Sequence, residues 1–122
     1  MSKQPKNLNL FSIRLPLPAL VSILHRLSGV LLFLLMPFLT WAFYSSISSG
    51  VNFNKTVLIL NTWPVQIIKL FFIWALIHHL MAGLRHLLLD LQIGNDLIVA
   101  RFSSKTVLII SFLLTAIVVY LV

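Results

Sequence analysis

Three histidines and one arginine lie within a segment that is otherwise apolar enough for the interior of a membrane. The segment spans residues 77–90 and contains His78, His79, Arg85 and His86. Ionisable groups are costly in lipid, so in such segments they usually face protein, a cofactor or a proton path. This segment is therefore the first candidate for a site that carries chemistry.

Helical spacing separates the members of this segment. His79, Gly83 and His86 follow the i, i+4, i+7 pattern of one helix face, whereas His78 points about 100° away. Imidazole can bind haem iron axially, glycine can admit a macrocycle, and basic groups can pair with propionates. From spacing alone, haem ligation and simple packing of the histidines both remain open.

A second polar cluster precedes the first long apolar run. Ser22, His25, Arg26 and Gly29 fall at i, i+3, i+4 and i+7, so a helix places them on one face. A hydroxyl and a guanidinium on one face can hydrogen-bond a carbonyl or carboxylate ligand. The alternative is that Arg26 marks the membrane boundary while Ser22 bonds its own helix backbone.

The two clusters do not by themselves supply a pair of axial haem ligands. His25 is the only histidine before the second apolar segment, and its position predicts a depth unsuited to pairing with His79. A second axial histidine is therefore expected from a partner chain. Arg85 and Asp90 are five residues apart and are interpreted as a charge pair at the membrane boundary.

Composition defines the class of protein. The chain has 122 residues, 60% hydrophobic and 9% charged, with a mean hydropathy of +1.06. A soluble domain is about one quarter charged, so this is an integral membrane protein. The absence of cysteine excludes disulfides and thiolate metal sites. The net charge is +7, and the basic residues that produce it flank the apolar segments. This arrangement indicates contact with membrane lipid or acidic partners rather than nucleic acid.

The pattern predicts an all-α membrane protein with one domain over residues 1–122. Each apolar run is close to the ~20 residues that span hydrocarbon. We expect three transmembrane helices, at about 18–44, 62–89 and 105–122, after an N-terminal surface arm, with loops over 45–54 and 91–104.

The basic residues predict an orientation. Seven precede the first span or lie between the second and third, and two lie near the other boundary: Lys3, Lys6, Arg14, Arg26, Arg85, Arg101 and Lys105, against Lys55 and Lys69. The positive-inside rule then places the N-terminus on the cytoplasmic or matrix side and the C-terminus opposite.

Both clusters resemble motifs of one family, the cytochrome b subunit of succinate dehydrogenase, which is the larger membrane anchor of succinate:quinone oxidoreductase. The first motif is Ser22 to Ser28, with His25-Arg26 inside it, and the second is His79 to Asp90. The resemblance covers essentially the whole chain. It departs from the family at Gln4, Leu89 and Gln92, where the family commonly has other residues.

The resemblance implies a function and a set of roles. It implies that the chain binds haem b and helps to reduce ubiquinone with electrons from an iron–sulfur subunit, beside a flavoprotein and a second small anchor subunit that completes the helical bundle. The implied roles are haem iron ligation by His79, quinone binding by Ser22 and Arg26, propionate contact or proton transfer by His25, Arg26 and His86, and packing near the haem by Gly29 and Gly83.

Other functions remain open at this point. The chain could anchor another quinone-linked enzyme such as a fumarate reductase, it could be a purely structural anchor, or it could be a transporter subunit with a histidine proton relay. Its location is expected to be a bacterial inner membrane or the mitochondrial inner membrane.

Overall fold

Four α-helices make up most of the chain that the computed structural model describes, which is residues 15–121. They are α1 (Leu17–Ser48), α2 (Gly50–Leu60), α3 (Trp63–Asp90) and α4 (Leu97–Leu121). Between residues 15 and 121 there is no β-strand. Helices α1, α3 and α4 are long and apolar enough to cross a membrane, which confirms the predicted helical membrane protein. The predicted surface arm falls mostly in residues 1–14, outside the described part.

Proline residues mark the beginnings of the first and third helices. Pro18 and Pro64 lie in the first turns of α1 and α3, where a missing backbone N–H costs nothing. Helix α3 agrees with the predicted second span at both ends. Helix α1 extends four residues beyond its predicted end at residue 44, as far as Ser48.

The loop predicted over residues 45–54 is wrong, because α2 occupies its second half. Ser49 has extended backbone (φ −167°, ψ 159°), which ends α1. Its hydroxyl then accepts the backbone N–H of Asn52 at 3.1 Å and caps α2. The Thr56 hydroxyl donates to Ser45 Oγ at 2.8 Å, which fastens α2 against the end of α1. Polar residues that indicated a loop are a helix cap and an interhelical contact.

The second predicted loop is also too long, because α4 begins at Leu97 rather than near residue 105. The connection from α3 is compact: Gln92 and Gly94 adopt left-handed backbone with φ of 62° and 81°. The N–H of Ile93 reaches back to the carbonyl of Leu88 at 2.9 Å, which closes the end of α3. Arg101, Ser103 and Ser104, which fell in the predicted loop, lie in the second turn of α4.

Small side chains bring the spanning helices together. Val21, Ala82 and Val107 form a buried cluster with one residue from each of α1, α3 and α4. Ser111 and Thr115 are buried on α4, and their hydroxyls donate to carbonyls of their own helix at 2.7 Å. Small residues allow close helix approach, which is how membrane helices gain packing energy. Helix α3 lies between α1 and α4 and so holds the centre of the bundle.

Candidate functional site

His79 of α3 lies against the polar cluster of α1. Its Nδ1 is 3.1 Å from the backbone carbonyl oxygen of His25 and 3.2 Å from Oγ of Ser28. The Ser28 hydroxyl also donates to that carbonyl at 2.8 Å. The three groups form a closed hydrogen-bonded set between two spanning helices, so the orientation of the His79 ring is fixed by α1.

The hydrogen bonds determine which nitrogen of His79 carries a proton. A carbonyl oxygen can only accept, so Nδ1–H must be the donor to the carbonyl of His25. In a neutral imidazole the other nitrogen, Nε2, then keeps its lone pair. Metal-ligating histidines generally have this arrangement, with one ring N–H held by a carbonyl or carboxylate. The residues around His79 therefore fit the axial ligand of a haem.

His25 occupies the same depth as His79, so the predicted mismatch in depth is wrong. Their rings stack with centroids 4.3 Å apart and an interplanar angle of 15°. His25 also lies 5.1 Å from the ring of His86, at 50°. A ligating lone pair lies in the plane of its ring, so two stacked imidazoles cannot aim at one iron between them. The correction does not make His25 the second ligand.

Each of two glycines accommodates an imidazole from the facing helix. A Cβ on Gly29 would lie 3.0 Å from Cε1 of His79, and a Cβ on Gly83 would lie 3.3 Å from Nε2 of His25. The His79 ring of α3 thus packs on Gly29 of α1, and the His25 ring of α1 packs on Gly83 of α3. His25 lies between the two turns that carry His79 and His86. Both glycines lie beside the histidines, and it is imidazole rings that fill the space they leave.

The members of the α1 cluster do not all point the same way. His25, Ser28 and Gly29 contact α3, Ser22 is half-buried, and Arg26 is exposed. Arg26 is therefore accessible to lipid, a ligand or a partner chain rather than packed between the helices. Ser28 is the residue that the site prediction missed: it belongs to the first motif, and its signal is a polar side chain in an apolar span, three residues after His25.

Arg85 forms hydrogen bonds to α4. In the described part of the chain, residues 15–121, the predicted charge pair between Arg85 and Asp90 is not formed. Its Nε donates to Ser103 Oγ at 3.0 Å, and its Nη2 donates to the carbonyl of Ala100 at 3.3 Å. The side chain is 6% exposed. A buried cation held by two acceptors on a neighbouring helix fixes the relative positions of α3 and α4, which places the His79 and His86 turns.

His78 is a packing residue on a face of α3 about 100° from that of His79. It is 0% exposed, and its ring lies parallel to Trp74 at 5.1 Å and 13°. Within the described residues neither ring nitrogen has a hydrogen-bond partner. Among the same residues no group of three or more histidine, cysteine or acidic side chains could hold a metal ion. A metal at His79 would thus need ligands from a cofactor or another chain.

The fold and the site define a class: helical integral membrane proteins in which imidazoles from two spanning helices meet inside the bundle. Within that class, the chain belongs to the family described as succinate dehydrogenase/fumarate reductase transmembrane subunit, whose profile matches residues 1–118. The resemblance that the two motifs predicted is confirmed.

Curated relatives agree with the family assignment. The succinate dehydrogenase cytochrome b556 subunit of Coxiella burnetii is 34% identical over 114 residues, which cover 92% of this chain and 90% of the relative. The protein of the same name from Paracoccus denitrificans is 33% identical over 105 residues, or 86% of this chain and 81% of the relative. That of Rickettsia felis is 29% identical over 114 residues, or 93% and 89%. The similarity extends along nearly the whole chain.

Proposed function

We propose that this chain is the cytochrome b anchor subunit of a succinate dehydrogenase, that it holds one side of a haem b, and that it forms part of a ubiquinone-reducing site. The observation that carries the proposal is the 3.1 Å contact between His79 Nδ1 and the carbonyl oxygen of His25, which assigns the N–H to Nδ1 and leaves the lone pair on Nε2. Family membership and the names of the relatives support it, since those proteins are named cytochrome b556 subunits.

In this proposal His79 Nε2 is the iron ligand, and His25 and His86 lie on the side of the propionates. Gly29 and Gly83 act on the haem through the imidazoles that they accommodate. A second small anchor subunit would supply the other histidine ligand. When bound, haem b supplies a one-electron store near the quinone. The chain's own task is to hold that ligand in one tautomer and one orientation.

Ser22 and Arg26 are proposed to bind ubiquinone. They are four residues apart on α1, so both can reach one ligand from the same side of the helix. A hydroxyl donor and a guanidinium can hold the quinone carbonyls and stabilise the negative charge that develops as two electrons arrive. His25 and His86, whose rings are 5.1 Å apart, can pass on the two protons that the reduced ring takes up.

The proposed assembly follows from the class of enzyme. Electrons come from succinate through a flavoprotein and an iron–sulfur subunit, which dock where the second and third spans connect, near Arg85 and Asp90. This end of the bundle is assigned to the cytoplasmic or matrix side because seven of the chain's nine basic residues flank it. The membrane is that of a bacterium or the mitochondrial inner membrane.

Purification of the intact complex tests the assignment. We expect a flavoprotein, an iron–sulfur protein and a second small anchor to co-purify, and succinate to reduce ubiquinone. Arg26→Leu should lower quinone reduction by about 100-fold, the usual effect of losing a preorganised donor, and Ser22→Ala should lower it less. Succinate oxidation with a soluble dye should be unchanged.

Two matched variants control for general damage to the membrane subunit. Thr40→Ala removes an exposed α1 hydroxyl that bonds its own helix, and Arg101→Leu removes an exposed arginine of α4. Both should leave quinone reduction intact. Full activity in Arg26→Leu and Ser22→Ala would refute the quinone site, and purification without a flavoprotein would refute the enzyme class. A complex that reduces fumarate with quinol faster than it oxidises succinate would indicate the fumarate reductase branch of the family.

A further inference from the structure

A small polar cavity lies at the opposite end of the bundle from the histidines. It has a volume of about 120 Å³, and its polar lining comes from Asn61, Gln66 and Lys69. We call these three residues the polar notch. Lys69 lies in the second turn of α3 and is half-buried, so its ammonium is close to the membrane boundary but flanked by apolar side chains.

No acidic side chain of this chain can neutralise Lys69. The chain has two acidic residues, Asp90 and Asp96. Asp90 is the last residue of α3, 21 positions after Lys69 and therefore roughly 30 Å away along the helix at about 1.5 Å per residue. Asp96 lies just before α4 at that same distant end. Among the described residues, the positive charge of Lys69 therefore has no acidic side chain beside it, which favours the binding of an anion at the notch.

The amides of the notch are arranged as donors. Gln66 Nε2 donates to Asn61 Oδ1 at 3.2 Å, which turns the Asn61 oxygen toward Gln66. The two N–H bonds of Asn61 can then donate elsewhere. An ammonium beside an amide N–H₂ suits an oxyanion with several acceptor oxygens, as a phosphate group has.

Two apolar grooves adjoin the notch, one on each side of α3. A groove of about 310 Å³ between α1 and α3 shares Lys69 and Ile73 with it. A groove of about 510 Å³ between α3 and α4 shares Leu70 with it and includes Trp74. At about 100° per residue, the notch positions on α3 lie angularly between those of the two grooves. Both grooves also include α3 residues closer to the membrane centre.

We infer that this surface binds an anionic phospholipid, with the phosphate at the polar notch and one acyl chain in each groove. The lipid would straddle α3 near the end of the bundle that carries α2. Two acyl chains that diverge from one phosphate match a polar notch between two apolar grooves. This site is separate from the histidines and goes beyond the proposed quinone chemistry.

Fluorescence quenching by brominated lipids tests the inference, because Trp74 lines one acyl groove. The purified complex is reconstituted in phosphatidylcholine vesicles that contain brominated-acyl phosphatidylglycerol or brominated-acyl phosphatidylcholine. The signal of Trp74 is the difference between the native complex and a Trp74→Phe variant. We expect the anionic lipid to quench Trp74 at a mole fraction about fivefold lower than phosphatidylcholine does. This factor corresponds to the attraction of about 1 kcal/mol that one basic residue near the membrane surface provides.

Variants of the notch separate a specific site from general attraction. Lys69→Gln should abolish the fivefold preference, and Asn61→Asp should weaken it by pairing with Lys69. Lys55→Gln is the matched control, because Lys55 is exposed on α2 at the same end of the bundle, and it should leave the preference unchanged. Equal quenching by the two lipids in the native complex would overturn the inference. So would a preference that survives Lys69→Gln or one that is lost equally in Lys55→Gln.

Discussion

The contact between His25 and His79 is the main result at the scale of single residues. The two motifs identified both histidines, but their direct stacking could not be predicted from the sequence. A residue's distance along the chain from a predicted helix end contains no information on how α1 and α3 shift along one another. The hydrogen bond from His79 to a backbone carbonyl was equally inaccessible, because every residue has a carbonyl and only packing selects one.

Gly29→Ala should disturb His79, the proposed haem ligand, without removing it. The new Cβ would lie 3.0 Å from Cε1 of His79, so the ring must move and its hydrogen bond to α1 must lengthen. Since active-site groups must be held within about 0.5 Å, we expect haem content, measured by pyridine haemochrome per complex, to fall several-fold.

The matched control is Gly50→Ala on α2, where a Cβ would meet no atom within 4 Å. It should keep full haem content. Equal haem content in the Gly29 and Gly50 variants would show that the fit between Gly29 and His79 does not matter for the cofactor.

At the scale of helices, apolar length predicted the three spans well, while polar residues near the connections were misinterpreted. Ser49 indicated a loop but is a helix cap, and Ser103 and Ser104 indicated a loop but lie within α4. The sequence alone does not distinguish a serine in a loop from one that caps a helix or one that contacts an arginine. Its role depends on the partner that tertiary packing provides, which here includes the buried guanidinium of Arg85.

Arg85→Met should loosen the bundle by separating α3 from α4. The substitution keeps an unbranched side chain of similar reach but removes the bonds to Ser103 Oγ and the Ala100 carbonyl. Hydrogen bonds from a charged donor contribute about 1.5–3 kcal/mol each, so we expect a loss of stability of about 2 kcal/mol or more. Thermal denaturation of the complex in detergent, followed by circular dichroism, measures it.

Arg101→Met provides the comparison, since Arg101 is exposed on the second turn of α4. Its midpoint of denaturation should stay within about a degree of the native value, because exposed substitutions change stability by about 0.5 kcal/mol or less. If both variants denatured at the native temperature, the link through Arg85 would not stabilise the bundle.

At the scale of the whole molecule, the chain is one part of a larger assembly. Large apolar side chains such as Phe33, Leu80 and Phe112 are exposed on the outer faces of the spans. Lipid or other helices must cover these faces in a membrane. The sequence predicted this class and the need for a partner, but the arrangement of partners depends on surfaces of other chains and is not encoded in this one alone.

The proposed orientation makes a prediction about chemical access. Lys55 on α2 and Lys105 on α4 are both exposed and lie at opposite ends of the bundle. A membrane-impermeant amine reagent added to sealed right-side-out vesicles should modify Lys55 and spare Lys105, with the pattern reversed in inverted vesicles. Mass spectrometry of the peptides detects the difference. Modification of Lys105 alone from the outside would reverse the assigned topology.

The most direct test of the central claim is the reduced-minus-oxidised absorption spectrum of the purified complex carrying either of two neighbouring substitutions. His79→Ala should abolish the b-type haem band, because it removes the imidazole nitrogen that is proposed to bind the iron. His78→Phe should keep the band, since a phenyl ring preserves the stack on Trp74 and this buried histidine lies on a different face of α3 from His79. A band that persists in His79→Ala, or that disappears only in His78→Phe, would contradict the account.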